Sequence, residues 1–166
     1  MMGGLRAGGG DEWNTDFKNF LKHHWEEVAQ RSGQPFGYTL FKKDSFNYDT
    51  EPACRAIVTV QNIAPEKALT FYELVQHTFY VKNKDPKEVS FYEAICKSLS
   101  IEFDQFSQKF SSPEMIAATQ KDFIQSRNLG VSGFPSVIYR KKDQMQFIAR
   151  GYSTFEQMKT SLESVN

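Results

Sequence analysis

The sequence predicts an α/β domain that is mostly helical and closes with an antiparallel β-hairpin and a final helix. Three observations predict it. Apolar residues recur at helical spacing in several separate runs between residues 11 and 129. Two short β-type runs then follow, Pro135-Ser-Val-Ile-Tyr-Arg and Met145-Gln-Phe-Ile-Ala-Arg, divided by Lys-Lys-Asp-Gln as in a hairpin. The chain has 166 residues, enough for one domain with its own core.

Each element has its own signal. Residues 3–10 are glycine-rich and read as a loop. Asp11 is the expected N-cap of a first helix carrying Trp13, Phe17, Phe20, Leu21, Trp25 and Val28, with Gly33 as its stop. Residues 34–50 mix turn formers with aromatics and read as a loop with one short helix near Tyr38–Lys43. Thr50 starts a helix of about three turns, with Pro52 tolerated in its first turn. Ala64-Pro65-Glu66 opens the next, through Leu69, Tyr72, Leu74, Val75 and Phe79. Asp85-Pro86 opens another, through Phe91, Ile95 and Leu99. A shorter helix spans Glu102 to Phe110. Ser112-Pro113-Glu114 starts a long one that stops at Leu129-Gly130. After the hairpin, Ser153-Thr154 caps a last amphipathic helix with Phe155, Met158, Leu162 and Val165 on one face. The expected division is a helical lobe over 11–129 and a loop, hairpin and helix over 130–166, within a single domain 1–166.

Composition excludes some function classes. Lys+Arg and Asp+Glu are both 20, so the net charge is zero, and a general nucleic-acid binder needs a basic excess. No run approaches the roughly 18 apolar residues of a membrane span. The start, MMGGLRAGGGDEW, has no apolar signal region, so the expected location is the cytoplasm. The 15 Phe read as packing material.

The candidate chemistry is thin. Cys54 and Cys96 are the two cysteines, and neither has a metal-type or dithiol spacing. Two buried free thiols with no disulfide between them are expected. His23 and His24 are adjacent on a helix and face different sides, and His77 is isolated, so no metal is expected. Gly8-Gly9-Gly10 lacks the Lys-Ser/Thr that a phosphate loop needs. No cofactor is expected. The informative segment is Gly130-Val131-Ser132-Gly133-Phe134-Pro135-Ser136, a glycine-flanked proline between a helix end and a strand. Proline is the residue for which a cis bond is cheap, and the Phe134–Pro135 bond is expected to be cis.

That segment resembles the cis-proline loop of the thioredoxin superfamily, in its DsbA branch. Met2-Gly3-Gly4-Leu5, Gly33-Gln34-Pro35-Phe36-Gly37, Glu51-Pro52-Ala53-Cys54-Arg55-Ala56, Phe79-Tyr80-Val81 and Gly151-Tyr152 are similar, in order, to the FrnE-like cytoplasmic subgroup. The resemblance implies a thioredoxin core interrupted by an all-helical insert. It implies a substrate-binding role for Ser132, Gly133, Phe134 and Pro135, with Tyr152 near a groove. In that family the Gly-Gly-Leu motif follows a strand, a Cys-x-x-Cys helix and a second strand, for which this sequence has no counterpart. The expected fold is therefore an incomplete thioredoxin-like one.

Three functions follow as alternatives. The first is a relative of thiol–disulfide oxidoreductases, redox-inactive because no Cys-x-x-Cys is present. The second is a non-catalytic protein-binding or oligomerising module, a homo-oligomer or a partner complex formed through an open sheet edge. The third is a relative of glutathione-linked isomerases or transferases.

Overall fold

The computed structural model describes residues 1–142 and 144–165. Asp143 of the expected hairpin turn and Asn166 lie outside the described residues.

Helix α1 spans Thr15–Ser32. Its N-cap is Asn14, whose side chain accepts from the Phe17 N–H at 2.9 Å. Asp11 was the expected cap, but its carboxylate pairs with Arg6, and the intervening Trp13 lies outside the helix. Gly33 ends α1 with φ 70°, a left-handed conformation open to glycine. A 3-10 turn over Thr39–Lys42 fills the place of the expected short helix.

Helix α2 spans Glu51–Ile63 and is the centre of the helical lobe. It packs against α3 (Ala68–Gln76), α5 (Phe103–Phe110) and α6 (Pro113–Asn128). One helix was expected from Ala64 to Phe79. Instead a 3-10 turn over Pro65–Lys67 leads into α3, which widens into a π-helical turn at His77–Val81. Asp85-Pro86 does not open a helix either. The Asp85 carboxylate accepts from the Lys87 N–H at 3.0 Å, closing a local turn. Helix α4 begins only at Glu93–Ser98, after a 3-10 turn at Val89–Tyr92.

Two aromatic-rich clusters hold the lobe. In the first, Phe71, Tyr92 and Phe106 are fully buried and their ring centroids lie 5.4–6.2 Å apart. The Tyr92 hydroxyl donates to the Pro86 carbonyl at 2.6 Å, so its buried polar atom is satisfied. In the second, Leu21 and Trp25 of α1 pack on Leu40, Phe46 and Tyr48, and Phe79 joins the two clusters. Asn83 ties the loop to the π turn. Its side-chain oxygen accepts from the Leu40 N–H and the Thr39 hydroxyl, and its amide donates to the Phe79 and Tyr80 carbonyls. Gly37 approaches so closely that a Cβ there would sit 2.2 Å from the Val81 carbonyl oxygen.

Strands β1 (Ser136–Lys141) and β2 (Gln144–Arg150) pair antiparallel. A bulge between Val137 and Ile138 shifts the register from Val137↔Ala149 to Ile138↔Phe147. Helix α7 (Phe155–Glu163) packs against β2 and starts in a capping box between Thr154 and Gln157. Its expected apolar face is not buried: no α7 residue is, and Phe155 is 72% exposed.

Candidate functional site

The loop from α6 to β1 begins where α6 runs out. Gly130, at φ 76°, lets the chain turn, and its N–H donates to the Arg127 carbonyl while the Val131 N–H donates to that of Ser126. The Arg150 guanidinium donates to the Gly130 carbonyl at 3.3 Å. The Phe134–Pro135 peptide bond is cis. The Ser136 hydroxyl donates back to the Gly133 carbonyl at 2.8 Å, and the Gly151 N–H donates to the Pro135 carbonyl at 2.8 Å. That last bond brings Tyr152, the residue after Gly151, to the Pro135 end of the loop. Ser132, Phe134 and Pro135 are exposed, Gly133 is half-buried, and Tyr152 is 55% exposed.

Phe134 has a specific seat. A Cβ on Gly3 would fall 1.6 Å from its ring, so the ring lies directly on the Gly3 backbone. Gly4, at φ 57°, lies in the same way against the ring of Phe123 on α6. The Met2 N–H donates to the Asp122 carboxylate at 2.8 Å, and Arg6 exchanges main-chain bonds with Thr50 through the Thr50 hydroxyl and the Arg6 carbonyl. The glycine pair therefore lies between α6 and the loop. The sequence marks Gly3 and Gly4 only as part of a motif. That they support Phe134 follows from the long-range fold, and the one local signal is two successive residues without a Cβ.

The two thiols are apart in environment as well as sequence, and both are free. Cys54, on α2, is half-buried. Burial pushes its thiol up to about 11, against the lowering effect of a Gly4 backbone hydrogen bond. Cys96 is fully buried in the first cluster, and burial pushes it up to about 12. A thiol held protonated is a poor nucleophile. Beside Cys54, Arg55 and Glu51 pair at 3.0 Å, and the Arg55 guanidinium also donates to the Phe110 carbonyl.

The histidines go separate ways. His23 reaches toward Glu27 at 3.8 Å, whereas His24 packs on the Phe20 ring with centroids 4.3 Å apart. Among the described residues no group of three metal-ligating side chains comes together. Among those residues, too, no helix is long and apolar enough to cross a membrane.

Against known proteins, the sequence model of the DSBA-like thioredoxin domain matches residues 16–163. Among curated proteins none matches. A structure from Nitrosomonas europaea, provisionally named a protein disulfide isomerase, is 30% identical with a TM-score of 0.88, over 96% of this chain and 78% of that one. The cytosolic disulfide reductase DsbM from Pseudomonas aeruginosa shares the fold at 20% identity and a TM-score of 0.77, over 96% of this chain and 80% of that one. A second structure of DsbM, with GSH, is 19% identical with a TM-score of 0.70, over 96% of this chain and 81% of that one. The family match spans nearly the whole chain, and the chain belongs to the DSBA-like thioredoxin domain family.

Proposed function

We propose that this chain is a polypeptide-binding member of its family that carries no thiol–disulfide exchange of its own. Exchange needs an attacking thiolate and a resolving thiol close by. Cys54 and Cys96 lie on different helices, and burial raises the pKa of both. Binding needs only backbone and shape. The observation that carries the reading is the loop leading into β1, where Ser132, Phe134 and Pro135 lie exposed beside a strand that has one bonded neighbour among the described residues. An extended chain adds to such an edge through main-chain hydrogen bonds and is selected by side-chain contacts. Phe134 supplies the apolar contact, Ser132 and Gly133 the backbone, and Tyr152 a flanking ring.

On this reading residues 1–166 act as one domain, with the helical lobe of 11–129 supporting the loop, hairpin and helix of 130–166. The cytosolic location in the name of DsbM supports the same compartment here. The test uses reduced, carboxymethylated insulin B chain as an unfolded probe. Fluorescence anisotropy is expected to show binding that weakens at least about tenfold in Phe134→Ala, the loss typical of an interface anchor. Reduction of intact insulin by dithiothreitol is expected to stay at the uncatalysed rate. Equal binding by Phe134→Ala, or turnover that disappears in Cys54→Ser, contradicts the proposal.

A further inference from the structure

Residues 2–6 are held at their two ends. Upstream, the Met2 N–H, a main-chain amide, donates to the Asp122 carboxylate of α6 at 2.8 Å, and the Met2 side chain packs against the first cluster. Downstream, the Arg6 N–H donates to the Thr50 hydroxyl and the Thr50 N–H donates to the Arg6 carbonyl. Gly3, Gly4 and Leu5 lie between. The glycines have no side chain to hold them, and Leu5 is 67% exposed. Glycine has the greatest main-chain freedom, so such a span keeps one path only when its ends are fixed.

The path matters because Phe134 sits on it. A Cβ on Gly3 would fall 1.6 Å from the Phe134 ring, and Gly4 lies against Phe123 in the same way. Asp122 and Phe123 both belong to α6, the helix that leads into the candidate loop. One helix therefore carries the loop with Phe134 and also fixes the strip of main chain beneath that ring. A hydrogen bond from a main-chain N–H to an ionised carboxylate is roughly twice as strong as a neutral one, which suits Asp122 to the task.

We propose that Asp122 is a positioning residue for the polypeptide site. It acts through Met2 and Gly3 to fix where the Phe134 ring stands. The assignment rests on the reading of Phe134 as the apolar anchor and names what holds that anchor in place. What the task requires is an acceptor oxygen. Asn supplies one in place of a carboxylate oxygen, and Ala does not.

The test measures binding of the carboxymethylated insulin B chain by four full-length variants, with circular dichroism to confirm that each is folded. Asp122→Ala is expected to bind about three- to tenfold more weakly than the native chain, the range of one net hydrogen bond. Asp122→Asn is expected to bind within about twofold of it, because the acceptor stays while the charge goes. In a Phe134→Ala background Asp122→Ala is expected to add nothing, since residues that act through one another are not additive. Amide resonances of Gly3 and Phe134 are expected to shift in Asp122→Ala and to stay near their native positions in Asp122→Asn. Native binding by Asp122→Ala would mean that the packing of Met2 alone sets the path, and it overturns the assignment. Equal weakening by Asp122→Ala and Asp122→Asn overturns it too, as does a full additional loss in the Phe134→Ala background. These outcomes leave the polypeptide-binding reading standing wherever Phe134→Ala alone weakens binding. No binding by the native chain, or equal binding by Phe134→Ala, removes that reading and this assignment with it.

Discussion

Cys54 joins the chemistry of single residues to the question of function. It lies on the central helix, near the Gly4 backbone, and its thiol is pushed up to about 11. The sign of the effect is set by the charged form, which burial disfavours. The folded chain therefore holds the proton more tightly than the unfolded chain. Cys54 alkylation by iodoacetamide in the native protein is expected to climb with pH without levelling off until about pH 11. The same difference makes the fold lose stability as pH rises from the ordinary thiol range through the raised value. Cys96 acts in the same direction, pushed to about 12. A plateau of Cys54 alkylation near neutral pH, read by mass spectrometry, would mean an activated thiolate and would favour a redox role. Gly3 is a second residue with a distinct job. Its missing Cβ makes room for the Phe134 ring, so Gly3→Ala is expected to displace the ring from its seat. A loss of binding to the carboxymethylated B chain, with the melting temperature nearly unchanged, reads out that displacement.

The elements differ in how much they bury, and single truncations measure the difference. Phe106 on α5 is fully buried between Phe71, Tyr92 and Phe110. Phe106→Ala is expected to cost about 3–5 kcal/mol in denaturant unfolding. Thr154 only caps α7, so Thr154→Ala is expected to cost about 1 kcal/mol. Equal costs would mean that α7 is as deeply anchored as α5. The sequence made most elements legible because their signals are local. Pro113 after Ser112, Gly33 after α1 and the Thr154 cap each act within one turn, and the two β-type runs carry their own period. Three features departed from those signals. Asp11 was claimed by Arg6, so the cap moved to Asn14. The Asp85 carboxylate closed a turn on Lys87 instead of opening a helix. The π turn after α3 packs its Phe79 with Trp25, Phe46 and Tyr48, and its carbonyls accept from the Asn83 side-chain amide. The candidate loop was legible from its proline and glycines, but its seat on Gly3 was not, because more than a hundred residues separate them.

At the scale of the molecule the chain has two unequal parts. The helical lobe contains both aromatic clusters, while residues 130–165 bury Ala149 alone among those described. Local opening is expected where buried contacts are few, so the hairpin and α7 should open before the lobe. The family match over residues 16–163 runs through both parts. The central claim is that β1 presents an open main-chain edge to other polypeptides. Hydrogen exchange of the β1 amides in dilute solution tests it most directly. Counted from the Pro135 carbonyl, which accepts from the Gly151 N–H, strand alternation turns the main-chain groups of Val137 and Tyr139 toward β2 and those of Ile138 and Arg140 away. The account predicts that the Ile138 and Arg140 amides exchange much faster than those of Val137 and Tyr139, and that they slow when the carboxymethylated B chain is added. Slow exchange at Ile138 in dilute solution, equal to that at Tyr139 and unchanged by that addition, would show the edge covered within the chain and contradict the account.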